Sequence, residues 1–227
     1  MNSILQRIYD WSEVWALLIP LSVLYFHPKQ PSYLKPVVLY LWLALVLNLM
    51  ADIIGDFYDH LPLWMQSNTP LYNLHSMVRF ACFAAFFAGL KQPFFSGIRK
   101  ALAWISILLV LLNFGFNENF FNTELLSGNL LTLEAYVLLV YCLLYYLSQL
   151  KSDVENIASG ADFWITTGLC VYVVINFFVF LFYVPMANVD RGNLADKMWS
   201  VHNLAYILFC AFLAKAFYVS ARPQFTV

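Results

Sequence analysis

The stretch LYNLHSMVRFACFAAFFAGL, residues 71–90, decides how the chain is read. A bilayer core about 30 Å thick needs about 20 mostly apolar residues per helix, and this stretch has that length. It also holds His75 and Arg79. Side chains of that kind are costly in lipid unless they are paired or hydrated. The two are four residues apart, so they share one helix face. The stretch therefore reads as a membrane helix with one face toward lipid and one toward a polar interior.

The rest of the chain agrees with that reading. Of its 227 residues, 62% are hydrophobic and 11% charged. Soluble domains have roughly 45–50% apolar and about 25% charged residues. The class is integral membrane protein, with the lipid bilayer as its surroundings. The formal net charge is −1, which gives no footing for a nucleic-acid partner. Cys82, Cys142, Cys170 and Cys210 all fall in apolar runs without metal-ligand spacing, and read as small apolar filler. The opening MNSILQRIYDW is not a signal peptide, because no cleavage site follows it, so the first apolar segment reads as a retained helix.

Seven spans are predicted, over about 11–27, 36–58, 70–90, 100–116, 128–149, 161–184 and 197–220. Proline-bearing and polar clusters such as HPKQPSYLKP and PMANVDRGNLADK separate them. The runs are too long and too evenly apolar for barrel strands. The expected fold is all-α, a polytopic bundle forming one domain over 1–227. Lys29, Lys35, Lys91, Arg99, Lys100, Lys151, Lys215 and Arg222 fall on one side, against Arg7, Arg191 and Lys197 on the other. The positive-inside rule then places the N-terminus outside and the C-terminus in the cytoplasm, with the plasma (inner) membrane as the expected location.

The chain also repeats itself. His75 in the third span matches His202 in the seventh, within WSVHNLAYIL. Asn48 precedes His75 by 27 residues, and Asn176 precedes His202 by 26. One span further back, EVWALLIPLSVLY from Glu13 matches EAYVLLVYCLLYY from Glu134. Spans one to three and five to seven read as two parallel copies joined by the fourth, related by an axis along the membrane normal. This 3+1+3 plan resembles that of the SWEET sugar transporters and the PnuC vitamin transporters. The SWEET proline–glutamine pair is absent, since Leu21 follows Pro20, so the resemblance is one of helix plan.

Depth follows from a rise of about 1.5 Å per residue. Asn48 and Asn176 fall near the midplane, His75, His202 and Asp52 in the outer half, Arg79 one turn below His75, and Asn203 beside His202. The expected ligand-binding set is Asn48, Asp52, His75, Arg79, Asn176, His202 and Asn203, lining an outward-facing cavity between the second, third, sixth and seventh spans. Asp52 and Arg79 are the expected ion pair. Glu13 and Glu134 are expected at the outer rim, solvated or capping helix starts. His75, His202 and an aspartate could supply three metal ligands, but no HxxxH or HExxH occurs, and no metal, cofactor or catalytic residue is assigned. Lys215 does not read as a retinal lysine: it is near the inner end, where snorkelling accounts for it, and the third span has no carboxylate.

Three functions follow. The first is binding or transport of a small polar solute through that cavity. The second is a receptor, sensor or subunit needing a membrane partner, with a homo-oligomer also open. The third is an intramembrane lipid-directed hydrolase. In that case the ingredients are similar to those of the alkaline ceramidase and adiponectin-receptor superfamily, whose zinc is held by histidines and an aspartate, without its paired histidines on the last helix.

Overall fold

The computed structural model describes residues 3–62, 65–90, 96–121, 126–151, 157–189 and 193–221. Eight α-helices occur among them: α1 (Ser3–Asp10), α2 (Ser12–Phe26), α3 (Lys35–Asp56), α4 (Thr69–Gly89), α5 (Ser96–Phe116), α6 (Gly128–Leu150), α7 (Ala161–Val189) and α8 (Asn193–Ser220). No strand occurs among the described residues. Five segments are long and apolar enough to cross a membrane: Ser32–Asp56, Gly97–Phe116, Gly128–Leu150, Ala161–Tyr183 and Leu194–Ser220. They mark the chain as an integral membrane protein, since only helices with internally satisfied backbones suit an interior without water.

The helix starts and stops have local causes. Proline sits in the first turn of α3 and of α4, where its missing N–H costs no hydrogen bond. The cluster beginning at Pro185, expected to separate two spans, does not end α7, which runs on to Val189. Neighbouring helices can offset an interior proline in a membrane bundle. α4 falls outside the five apolar segments because Asn73, His75, Ser76 and Arg79 interrupt it, and all four are buried within the protein. α2, at 15 residues, is shorter than a full crossing.

Contacts between neighbours close six helices into a ring in chain order: α2 on α3, α3 on α4, α4 on α6, α6 on α7, α7 on α8, and α8 back on α2. α5 leans on the outside against α4 and α6, and is the least buried of the five apolar segments. Its Trp104, Leu108 and Leu111 are exposed, as are Leu39, Trp42 and Val46 on α3 and Phe178 on α7. In water so large an apolar surface would aggregate; against acyl chains it is the expected exterior.

The middle of the ring is aromatic. Tyr40, Phe83, Tyr172, Tyr206 and Phe209 are fully buried there, with Phe209 stacked on Tyr172 at 5.1 Å and Phe83 against Tyr40 at 5.1 Å between ring centroids. α7 and α8 make the most extensive pair, and Gly168 sets their closeness. A Cβ there would lie 2.4 Å from the Phe212 Cβ. Small residues at such crossings let membrane helices pack backbone to backbone.

Candidate functional site

Two polar clusters lie inside this aromatic ring. The first joins α4, α6 and α7. Arg79 donates from Nε to Glu134 Oε1 at 2.5 Å, from Nη2 to Glu134 Oε2 at 2.7 Å, and from Nη1 to the Tyr172 hydroxyl at 2.7 Å. Ser76, one turn back on α4, donates to Glu134 Oε2 at 2.5 Å. The guanidinium and carboxylate thus meet as a fork, the strongest geometry available to such a pair.

The second cluster joins α2, α3, α7 and α8. His202 Nε2 lies 3.3 Å from Glu13 Oε1, and its Nδ1 lies 2.5 Å from Asn176 Oδ1. Asn176 turns its amide back to the Tyr172 carbonyl at 2.8 Å. Asn48 donates to the Glu13 carbonyl at 3.2 Å and to the Tyr206 hydroxyl at 3.4 Å, and the Tyr206 and Tyr40 hydroxyls are 3.4 Å apart. Tyr172 belongs to both clusters. Its hydroxyl meets Arg79, its carbonyl meets Asn176, and its ring lies 5.9 Å from that of His202.

Of the expected residues, Asn48, His75, Arg79, Asn176 and His202 come together in this centre. His75 stacks on Tyr40 at 5.9 Å and faces the edge of Tyr206 at 6.3 Å. Its Nε2 is buried without a hydrogen-bond partner. Asn203 is buried apart from them, its amide donating to the Tyr9 carbonyl of α1 at 3.4 Å. The expected Asp52–Arg79 pair does not form. Arg79 is taken by Glu134, whereas Asp52 is half-buried on α3 with Glu13, Asp56 and Asp10 as its charged neighbours, all of its own sign. The physical reason is placement: α6 packs on the face of α4 that carries Arg79.

The solvation expected for Glu13 and Glu134 is also overturned. They are 4% and 5% exposed and are the anionic anchors of the two clusters. Charge balance was the usable signal, because Arg79 needed a buried carboxylate and Glu134 was the alternative to Asp52. Nothing in their spacing marks Tyr40, Tyr172 and Tyr206 as central among the 14 tyrosines of the chain. α1 closes one end of the bundle over these groups. Tyr9 donates to the Ser200 carbonyl, and Trp15 Nε1 donates to the Ile8 carbonyl at 2.8 Å.

Asn48, His75, Arg79, Asn176 and His202 are each at most 4% exposed, so the centre is closed in this conformation. Among the described residues no three of His, Cys, Asp and Glu gather as metal ligands. Every guanidinium nitrogen of Arg79 and both carboxylate oxygens of Glu134 have a hydrogen-bond partner, while His75 Nε2, Asn73 Oδ1 and Asn203 Oδ1 have none. Compared with protein-family models, with curated proteins and with solved structures, the chain finds no match.

Proposed function

We propose that the chain is a seven-span protein, N-terminus outside, in which two three-helix halves, α2–α4 and α6–α8, hold a small polar solute between them and pass it by rocking against one another. The conformation described above is the closed one. The observation that carries this reading is the crossing of the two glutamates. Glu13 on the first helix of one half meets His202 on the third helix of the other. Glu134, its counterpart, meets Arg79 on the third helix of the first half. Exchanging the halves exchanges the two glutamates and the helices they reach, α8 and α4, although the partner on α4 is Arg79, one turn beyond His75, the match of His202; it also exchanges the α2–α8 contact with α4–α6. A pseudo-two-fold axis along the membrane normal has that consequence, and parallel-repeat transporters place their solute on such an axis.

The two pairs then act as latches between rigid halves. An incoming solute would take over hydrogen bonds of Asn48, Asn176 and His202, and would satisfy His75 Nε2. Spin labels at Phe57, at the end of α3, and Phe182, on α7, test the motion in nanodiscs, after the four cysteines are replaced by alanine. Both positions are exposed. The expected result is a longer second distance that gains population in the Glu13→Gln, Glu134→Gln double variant. A single narrow distance, unchanged by that variant, would overturn the reading.

A further inference from the structure

Two cavities adjoin along the groove between α4 and α5. The larger, about 390 Å³, is walled by Phe80, Ile107, Val110, Leu133 and Val137, and reaches Ser76 and Glu134 at one end. The smaller, about 270 Å³, is lined by Ala85, Ala88 and Tyr141 and ends at Arg99 and Lys100. Ala84 and Ala103 line both, so the two meet at that pair. Together they form a cleft along α5 from Arg99 to Leu111. At 1.5 Å per residue that is about 18 Å, close to the roughly 15 Å of one half of a hydrocarbon core. α5 is the least buried of the apolar segments, so the cleft opens sideways toward lipid.

We propose that this cleft binds one anionic amphiphile drawn from the bilayer, its phosphate or carboxylate head on Arg99 and Lys100 and its acyl chain between Ala84 and Ala103. Three features specify that chemistry. The walls are apolar, and cavities of that kind hold hydrocarbon in preference to water. The volume lies within the range of ligand sites, which are mostly apolar with a few placed polar groups. The cations sit at one end only, as in basic pockets between membrane helices that take acidic lipid heads.

Arg99 is held at that mouth. Its Nη1 donates to the Phe87 carbonyl at 2.8 Å, and its own carbonyl accepts from the Tyr141 hydroxyl at 3.0 Å. Lys100 beside it is exposed. The far end of the occupant reaches Ser76 and Glu134, so it abuts the Arg79–Glu134 pair. The proposal does not depend on the solute reading, because the cleft lies outside the ring of six helices.

Native mass spectrometry of the full chain tests it, with phosphatidylglycerol, phosphatidylcholine of the same chains, and palmitate as probes. Phosphatidylglycerol is expected to bind one to one, roughly 25-fold more tightly than phosphatidylcholine, from two cations near the head. Lys100→Gln, a surface change, should reduce that preference about fivefold. Ala103→Phe should remove the adduct while leaving the size-exclusion profile unchanged. Competition by palmitate assigns the mouth to any anionic head, and its failure assigns the mouth to phosphate; either supports the site. Equal retention of the two phospholipids, or a phosphatidylglycerol preference that survives both substitutions, overturns it.

Discussion

Glu134 and Arg79 offer the sharpest test of what holds α4 against α6. Glu134 accepts from Arg79 Nε, from Arg79 Nη2 and from Ser76, and Arg79 donates a third bond to Tyr172. The two single removals should not cost the same. Glu134→Leu leaves a buried guanidinium that cannot lose its proton. Stranding one member of a buried pair costs about 3–5 kcal/mol. Arg79→Met leaves a carboxyl group that can take up a proton and keep its Ser76 bond, at a cost of roughly 1–3 kcal/mol. The double variant replaces a desolvated pair with apolar side chains and should lie near the native stability. At about 2–4 °C per kcal/mol for a chain of this size, Glu134→Leu should lower the midpoint by roughly 6–20 °C. Arg79→Met should lower it by less, and the double variant should recover most of the loss. The assay is thermal unfolding in mild detergent followed by tryptophan fluorescence. A double-variant loss equal to the sum of the two single losses would refute the argument that the pair acts as a unit.

The remaining predictions concern the sites of disagreement and of closest packing. Asp52→Asn should change stability by no more than about 0.5 kcal/mol, because among the described residues Asp52 has no cationic partner and lies among like charges; a loss of several kcal/mol in the same unfolding assay would mean that it pairs after all. Gly168→Ala should cost about 1–3 kcal/mol, since the new Cβ would fall 2.4 Å from the Phe212 Cβ and must spread α7 from α8; an unchanged midpoint would show that the crossing yields freely. The spin-label distances and the lipid-retention measurements described above complete the set.

The helices were legible in the sequence, and five segments are long and apolar enough to cross a membrane. A long apolar run has one stable form in a medium that cannot hydrogen-bond the backbone, so six of the seven expected spans match α2 to α6 and α8 to within about four residues. The third was legible in spite of its polar residues, because four of its interruptions lie on faces that neighbours could cover. Pro185 misled, since it marks a break in water but is tolerated inside a bundle. α1 was not foreseen: its eight residues are amphipathic, but two turns are too short to form a stable helix alone, and contacts with α2 and α8 hold it.

The candidate site was legible as a set of residue types and not as a set of partners. Asn48, His75, Arg79, Asn176 and His202 stood out because polar groups in lipid require a reason. Which carboxylate served Arg79 depended on which helix packs on α4, and sequence spacing constrains faces within a helix, not neighbours between helices. Asp52 and Glu134 were equally available to that arithmetic. The sequence by itself determined that the chain is helical, lives in a membrane and buries a few polar side chains, because each follows from transfer free energies of single segments. That Glu134 faces Arg79, that Glu13 faces His202, and that two cavities adjoin beside α5 came from the packing alone, because these depend on how helices far apart in the chain meet one another.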